Sequence, residues 1–181
     1  RHVVRLKGGD PFIFGRGGEE MLAARGAGIE VRAIPGVTAA LGAASGAGLP
    51  LTHRNIAGSV AFITGCPASE RPRPHADWRR LAGTVDTLVL YMGVRHLAQI
   101  AVELMAGGLP PDHPVAAVER ATLPDQRITL FTLDDLSRGA AEGRVEAPAL
   151  VVIGEVVHVH EQIAAMAELA LGRASLTGAG P

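Results

Sequence analysis

The sequence has almost no cysteine and almost no excess of charge, and both shortages narrow the possible functions. Its 181 residues include a single cysteine, Cys66, which excludes an internal disulfide. The formal net charge is -1, which argues against the basic surface that a general grip on nucleic acid requires. No apolar run is long enough to span a membrane and no signal peptide is recognisable, so we expect a cytoplasmic protein without a membrane partner.

The remaining composition indicates a globular protein that binds a small molecule. Hydrophobic residues make up 48% of the chain, enough for the core of one ordinary domain or two small ones. Lys7 is the single lysine and arginine supplies every other basic side chain. Guanidinium groups pair well with carboxylates, so acidic ligands are compatible with this composition.

The first fifty residues alternate between short apolar segments and helical patterns. We expect strands over 2–6 and 29–34 and helices over 19–25 and 39–47, with Thr38 capping the second helix. This β-α-β-α order is typical of a mostly parallel sheet. Nothing precedes the first strand, so we interpret residues 1–50 as the remainder of an incomplete N-terminal α/β domain.

The rest of the chain predicts a second, mixed α/β domain. We place a connector at 51–57, the domain itself at 58–171, and a frayed tail at 172–181. A loop rich in proline and arginine occupies 67–75. The predicted strands are 59–64, 87–92, 115–119, 127–132 and 149–153, and the predicted helices are 78–82, 97–106, 133–142 and 160–171.

The segment Gly8-Gly9-Asp10 directly follows the first predicted strand. Two glycines there would let a ligand approach the backbone at the carboxyl end of the strand, where open α/β sheets bind small molecules. Asp10 would then accept a hydrogen bond from the ligand. The alternative is a tight turn in which Asp10 bonds only its own backbone ahead of Pro11, and the segment alone does not decide between the two.

The longer run from Val3 to Glu20 resembles the signature of the S-adenosylmethionine-dependent uroporphyrinogen-III C-methyltransferases. Further blocks similar to that family follow in the same order, at residues 34–40, 48–54, 90–93, 118–122 and 148–154. The resemblance covers residues 1 to about 165. It implies a tetrapyrrole methylase-like fold of two α/β domains, with the active site in the cleft between them and the first domain incomplete in this chain.

The resemblance also implies which residues contact S-adenosylmethionine, namely Gly8, Gly9, Asp10, Ile13, Thr38, Ala39, Met92 and Ala121. Glycine allows close backbone approach, Asp10 and Thr38 offer polar anchors, and Ile13 and Met92 offer apolar contact. Without the resemblance, Met92 would be interpreted as a buried strand residue and Thr38 as an ordinary helix cap.

Two pairs of polar residues allow more than one interpretation. His53 and Arg54 are either a solvated pair or contacts to the acetate and propionate groups of the substrate. His158 and His160 stand two residues apart, as in some metal sites. No third ligand has sensible spacing to them, so we assign no metal.

The activity implied by the resemblance is methylation of uroporphyrinogen III to precorrin-1 and then precorrin-2, by a homodimer, in sirohaem or cobalamin biosynthesis. The family attributes its acid and base to an N-terminal segment, so we assign no catalytic residue here and expect a truncated chain. One alternative is another methyltransferase of the same fold, such as a later precorrin methylase, which should lack the blocks at 12–18 and 51–54. The other is a non-catalytic remnant that binds S-adenosylmethionine.

Overall fold

The computed structural model describes residues 1–65 and 76–177, with side chains described as far as residue 170. Cys66, the predicted loop at 67–75 and the last part of the predicted tail, 178–181, lie outside the described residues. Within the described part, no helix is long and apolar enough to cross a membrane.

Helices and strands alternate along the described chain. The helices are α1 (Gly17–Gly26), α2 (Ala39–Ala47), α3 (Trp78–Leu81), α4 (Leu97–Ala106), α5 (Leu133–Ser137) and α6 (Val156–Thr177), with one 3-10 turn at Val94–His96. The strands are β1 (Val60–Thr64), β2 (Thr87–Tyr91), β3 (Pro114–Glu119), β4 (Arg127–Thr132) and β5 (Ala149–Ile153).

The strands form one mixed sheet in the order β1-β2-β5-β3-β4. Strands β1 and β2 are parallel, whereas β5 is antiparallel to both β2 and β3, and β4 is antiparallel to β3. These directions bring the carboxyl ends of β1, β2 and β3 to the same side of the sheet. We call this side, which Thr64, Tyr91 and Glu119 mark, the carboxyl edge.

Both faces of the sheet are covered, which explains why β2 and β3 are buried along their whole length. Side chains alternate between the faces, so that Leu88 and Leu90 pack with α4 and α5 while Val89 and Tyr91 face the other way. The second face is covered by α2, through Ala40 and Ala43, and by the start of α6. Helix α2 therefore packs directly on the sheet formed by residues 60–153.

The predicted α/β class is confirmed. Four elements, α2, α4, β4 and β5, have the predicted bounds, and four more, α3, β1, β2 and β3, match within one residue. Helix α5 ends earlier than predicted, at Ser137, because a glycine turn at Gly139 follows it. Helix α6 begins at Val156 and continues to Thr177, so the predicted tail is helical over 172–177. The division into domains with a connector at 51–57 stays a prediction.

The two strands predicted in the first fifty residues are wrong. Residues 2–6 and 29–34 lie outside any strand, and apolar side chains such as Val3, Leu6 and Ile34 are more than four-fifths exposed. A strand exists only when a neighbouring backbone takes up its hydrogen bonds. The five-stranded sheet of the described residues does not include these segments, so their apolar pattern has no partner to pair with.

An ion pair between a buried carboxylate and a half-exposed guanidinium stabilises the carboxyl edge. Glu119 ends β3 with its side chain fully buried, and Arg127, directly opposite on β4, donates to both of its oxygens at 2.7 and 2.8 Å. The backbone N–H of Glu146 donates to the same carboxylate at 2.8 Å, and Arg127 also donates to the carbonyl of Arg144 at 2.7 Å. Hydrogen bonds from Arg127 hold the pKa of Glu119 below its ordinary range.

We expect Glu119→Gln to lower the free energy of unfolding by about 2 to 3 kcal/mol, because it leaves Arg127 without its charged partner and weakens a buried network. Urea denaturation at pH 7 measures this. Glu103→Gln, which removes a solvated pair with Arg79, is the control and should change stability much less. Equal losses of unfolding free energy in the two variants would contradict the larger stabilisation that we assign to Glu119.

The pH dependence of this contribution follows from the direction of the pKa shift. Because the folded pKa of Glu119 lies below its ordinary value of about 4.5, the stabilisation is complete above that pH and is lost as pH falls through the folded value. The stability difference between the parent and Glu119→Gln should therefore shrink on acidification below about pH 4.5.

Candidate functional site

Two strands leave the carboxyl edge through glycines whose backbones touch. Gly65 follows β1 and donates its N–H to the carbonyl of Tyr91 at 2.8 Å. A Cβ on Gly65 would lie 2.5 Å from the Cα of Gly93, which comes shortly after β2. The Gly65 position therefore requires glycine, and its contact with Gly93 brings the ends of β1 and β2 together.

Met92 lies between Tyr91 and Gly93 in a left-handed backbone conformation, with φ of 54°. This conformation is uncommon for a residue with a side chain and is often found at binding sites. It turns Met92 out of the sheet, and 59% of the residue is exposed at the carboxyl edge. The interpretation of Met92 as a buried strand residue is thus wrong, and the side chain is available for apolar contact with a ligand.

Ala121 lies in the turn that follows β3. Its neighbours Arg120 and Thr122 both have positive φ, 45° and 69°, so the turn reverses sharply around Ala121. The side-chain oxygen of Gln126 accepts the N–H of Thr122 at 2.7 Å, and Arg120 pairs with Asp125 at 2.9 Å. These contacts hold Ala121, which is half-buried, at the same edge as Met92.

Thr38 stands at the predicted cap position of α2, but its hydroxyl does not cap the helix. Instead, the hydroxyl lies 2.7 Å from the hydroxyl of Tyr91, and Tyr91 accepts the N–H of Ala40 at 2.9 Å. The hydroxyl of Tyr91, at the end of β2, therefore caps α2 in place of the Thr38 hydroxyl. Thr38 is buried by this contact, while Ala39, the first residue of α2, stays exposed.

The loop at Gly8-Gly9-Asp10 packs against the segment that leads into α2. One oxygen of Asp10 accepts the N–H of Phe12 at 2.9 Å, and the other accepts the N–H of Gly36 at 3.2 Å. These two N–H groups lower the pKa of Asp10. The bond to Phe12 is the local turn that the sequence allowed, whereas the bond to Gly36 joins two loops that are distant in sequence.

The glycines of this loop have different surroundings. A Cβ on Gly36 would lie 2.6 Å from the carbonyl oxygen of Gly9, and a Cβ on Gly9 would lie 3.3 Å from the carbonyl oxygen of Val37. These glycines thus permit contact between two stretches of protein backbone. Gly8 has no protein atom within 4 Å of a Cβ built on it, so its open side is free for a ligand.

An aromatic contact connects β2 with the loop that contains Gly8-Gly9-Asp10 and continues through Ile13 and Phe14. We call this loop the first loop. Phe14 has φ of 52°, and its ring centroid lies 4.7 Å from that of Tyr91 at an interplanar angle of 49°. Ile13 beside it is 38% exposed. Tyr91 thus touches the first loop through its ring and the start of α2 through its hydroxyl. Sequence analysis missed its role, although Tyr91 is part of the block at 90–93 that carries the resemblance.

His53 and Arg54, the predicted substrate contacts, lie between α2 and β1. They lie in an exposed turn that two backbone hydrogen bonds between His53 and Ala57 close. Within residues 1–65 and 76–170, neither side chain has a hydrogen-bond or ion-pair partner. Each histidine of the pair His158 and His160 has a protein partner: His158 pairs with Glu161 at 2.7 Å, and Nδ1 of His160 lies 3.4 Å from the carbonyl oxygen of Gly48, which is distant in sequence.

The described residues contain no second site that the predicted cofactor contacts share. Among the described residues, no group of three histidine, cysteine, aspartate or glutamate side chains is arranged to hold a metal ion. A cavity of about 590 Å³ lies beside β1, and Phe14, Phe62, Thr64, Arg80 and Leu81 are among its lining residues. None of the predicted cofactor contacts lines this cavity.

Known proteins with similar sequences are named uroporphyrinogen III methyltransferase or siroheme synthase. The sequence profile of the tetrapyrrole (corrin/porphyrin) methylases matches residues 1–137. The S-adenosyl-L-methionine-dependent uroporphyrinogen III methyltransferase of Methanosarcina barkeri is 46% identical over 159 residues, which are 88% of this chain and 62% of that protein. Siroheme synthase 1 of Cronobacter sakazakii is 51% identical over 164 residues, 90% of this chain and 34% of that protein. This chain therefore spans only part of the length of these relatives.

The fold is similar to that of a solved structure as well. Uroporphyrin-III C-methyl transferase from Thermus thermophilus, complexed with S-adenyl homocysteine, superimposes with a TM-score of 0.76 at 44% identity, covering 87% of this chain and 67% of that one. The sequence match and the fold agree, and the profile match extends over most of the chain. The chain belongs to the tetrapyrrole (corrin/porphyrin) methylase family.

Proposed function

We propose that the protein transfers methyl groups from S-adenosylmethionine to carbon atoms of uroporphyrinogen III, giving precorrin-1 and then precorrin-2. The observation that supports this most strongly is the convergence of the first loop, the start of α2, Met92 and the Ala121 turn on the carboxyl edge. The M. barkeri relative carries this activity in its name, and the T. thermophilus structure holds the demethylated form of the same cofactor.

The groups at the carboxyl edge fit the proposed cofactor. S-adenosylmethionine combines a polar amino acid and ribose with adenine, whose flat aromatic faces make apolar contacts, and it supplies an electrophilic methyl group. We propose contacts at Gly8, Gly9, Asp10, Ile13, Thr38, Ala39, Met92 and Ala121. Open backbone at Gly8, exposed apolar surface at Ile13 and Met92, and the carboxylate of Asp10 provide the required mixture.

The described residues bind and orient rather than take part in covalent chemistry. Methyl transfer needs the attacking carbon aligned with the methyl group at about 3 Å, and a rigid site lowers the entropic cost of that alignment. Hydrogen bonds at Asp10, Thr38 and Gln126 hold the segments of the proposed site in place. We assign no catalytic acid or base among these residues.

Three further proposals concern the substrate, the assembly and the location of the protein. We propose that His53 and Arg54, which are exposed and without ionic partners in the described structure, meet substrate carboxylates. We also propose a homodimer, which sedimentation as a strict monomer at micromolar concentration would contradict. A cytoplasmic location is proposed because Cys66 has no second cysteine with which to form an internal disulfide.

Two alternative functions, a later precorrin methylase and a non-catalytic protein that binds S-adenosylmethionine, are less well supported. A later precorrin methylase should lack the blocks at 12–18 and 51–54, and both blocks are present. Uroporphyrinogen III as substrate is consistent with the names of both relatives, since sirohaem synthesis also begins from it. A non-catalytic protein that binds the same cofactor is distinguished from the proposed enzyme by measuring turnover.

The proposed activity is tested with protein expressed from its complete gene. Incubation with uroporphyrinogen III and S-adenosylmethionine carrying a labelled methyl group should yield a singly and then a doubly methylated tetrapyrrole, resolved by mass spectrometry. Arg54→Ala should raise KM for the tetrapyrrole severalfold. Cofactor binding without any methylated product, beside an active control enzyme, would favour the non-catalytic alternative.

The proposed cofactor position is tested at Gly8. We expect Gly8→Val to fold like the parent, because a Cβ there would have no protein atom within 4 Å, and to lose at least tenfold in affinity for S-adenosylhomocysteine through steric conflict with the ligand. Isothermal titration measures the affinity and circular dichroism the fold.

Gly18→Ala is the matched control, since a Cβ on Gly18 also meets open space but lies in α1. It should bind S-adenosylhomocysteine as tightly as the parent. Tight binding by a folded Gly8→Val variant would contradict the proposed cofactor position at the first loop.

A further inference from the structure

Helix α2 is held at both ends by side chains that come from the carboxyl edge. At its start, the hydroxyl of Tyr91 bonds the Thr38 hydroxyl and the N–H of Ala40. At its end, the amide of Gln126 donates to the carbonyl of Gly46 at 3.0 Å. Tyr91 directly precedes Met92, and Gln126 closes the turn that contains Ala121.

Gln126 bonds two different segments, whereas the hydroxyl of Tyr91 makes both of its bonds at the start of α2. The oxygen of Gln126 accepts the N–H of Thr122 while its nitrogen bonds α2, so a single amide connects the turn and the helix. The contact is close, since a Cβ on Gly46 would lie 2.9 Å from the Gln126 oxygen. The hydroxyl of Tyr91 is buried and therefore has no water to replace a lost partner.

A local cap was possible at the start of α2 without Tyr91. Thr38 occupies the N-cap position and has the backbone conformation of a cap, so its hydroxyl had a local role available. Its pairing with Tyr91 instead relates the start of α2 to the end of β2. Such a contact determines the position of α2 relative to β2. A ligand that touches both elements would bind more weakly if that relative position changed.

We propose that Tyr91 and Gln126 are positioning residues for the cofactor. By holding the two ends of α2 on the carboxyl edge, they set the spacing of Thr38 and Ala39 from Met92 and Ala121. This inference rests on the proposed binding of S-adenosylmethionine at that edge. It assigns to these two side chains a role in affinity that exceeds their effect on folding.

The test uses Tyr91→Phe, which removes the hydroxyl and keeps the ring beside Phe14, and Gln126→Leu, which removes both amide contacts. Each variant should bind S-adenosylhomocysteine about tenfold more weakly than the parent by isothermal titration. In turnover assays, KM for S-adenosylmethionine should rise by a similar factor with little change in kcat.

Thr132→Ala is the control for stability alone. Thr132 caps α5 with a reciprocal bond to Asp135, remote from α2, so its loss should lower Tm without changing the affinity for S-adenosylhomocysteine. If Tyr91→Phe does not fold, Gln126→Leu decides, because it acts at the other end of the same helix.

The outcomes separate this inference from the proposed function. A parent protein that shows no binding of S-adenosylhomocysteine contradicts the proposed function and the inference together. A parent that binds, with folded Tyr91→Phe and Gln126→Leu variants of unchanged affinity, overturns the positioning role alone. Equal weakening by Thr132→Ala would also overturn it, because the effect would then reflect stability.

Discussion

The direction of three strands determines where the proposed cofactor site lies in this protein. Because β1, β2 and β3 all point the same way, the turns that leave them meet at one edge of the sheet. Each of the turns after β2 and β3 contains residues with positive φ, which direct Met92 and the neighbourhood of Ala121 away from the strands. The bond between the Tyr91 and Thr38 hydroxyls holds α2 against this edge. The bond from the Gly36 N–H to Asp10 joins the first loop to the segment that leads into α2.

The site is therefore built largely from backbone contacts between glycines and from a few polar side chains with two partners each. Gly36 lets two loops touch, and Gly65 lets two strand ends touch. Asp10, Glu119 and Gln126 each join segments that are far apart in sequence. Such connections keep the binding groups at fixed spacing before a ligand arrives, which reduces the ordering cost of binding.

Sequence patterns predicted most elements because the signals are local. Helix α4 buries Leu97, Ile100, Ala101 and Leu104, which follow helical spacing, and its bounds were predicted correctly. The failures concern long-range partners: residues 2–6 have a strand pattern but no neighbouring strand, and the Thr38 hydroxyl bonds Tyr91 rather than its own helix. The family resemblance proposed the cofactor contacts, but no local pattern could show that Met92 is exposed or that Tyr91 connects two of the contacting segments.

A crystal structure with S-adenosylhomocysteine tests the central claim most directly. The account predicts ligand density at the carboxyl edge, against the open side of Gly8 and in contact with Thr38, Ala39, Met92 and Ala121. Ligand density in the cavity beside β1, lined by Phe62 and Arg80, with an empty carboxyl edge would contradict it.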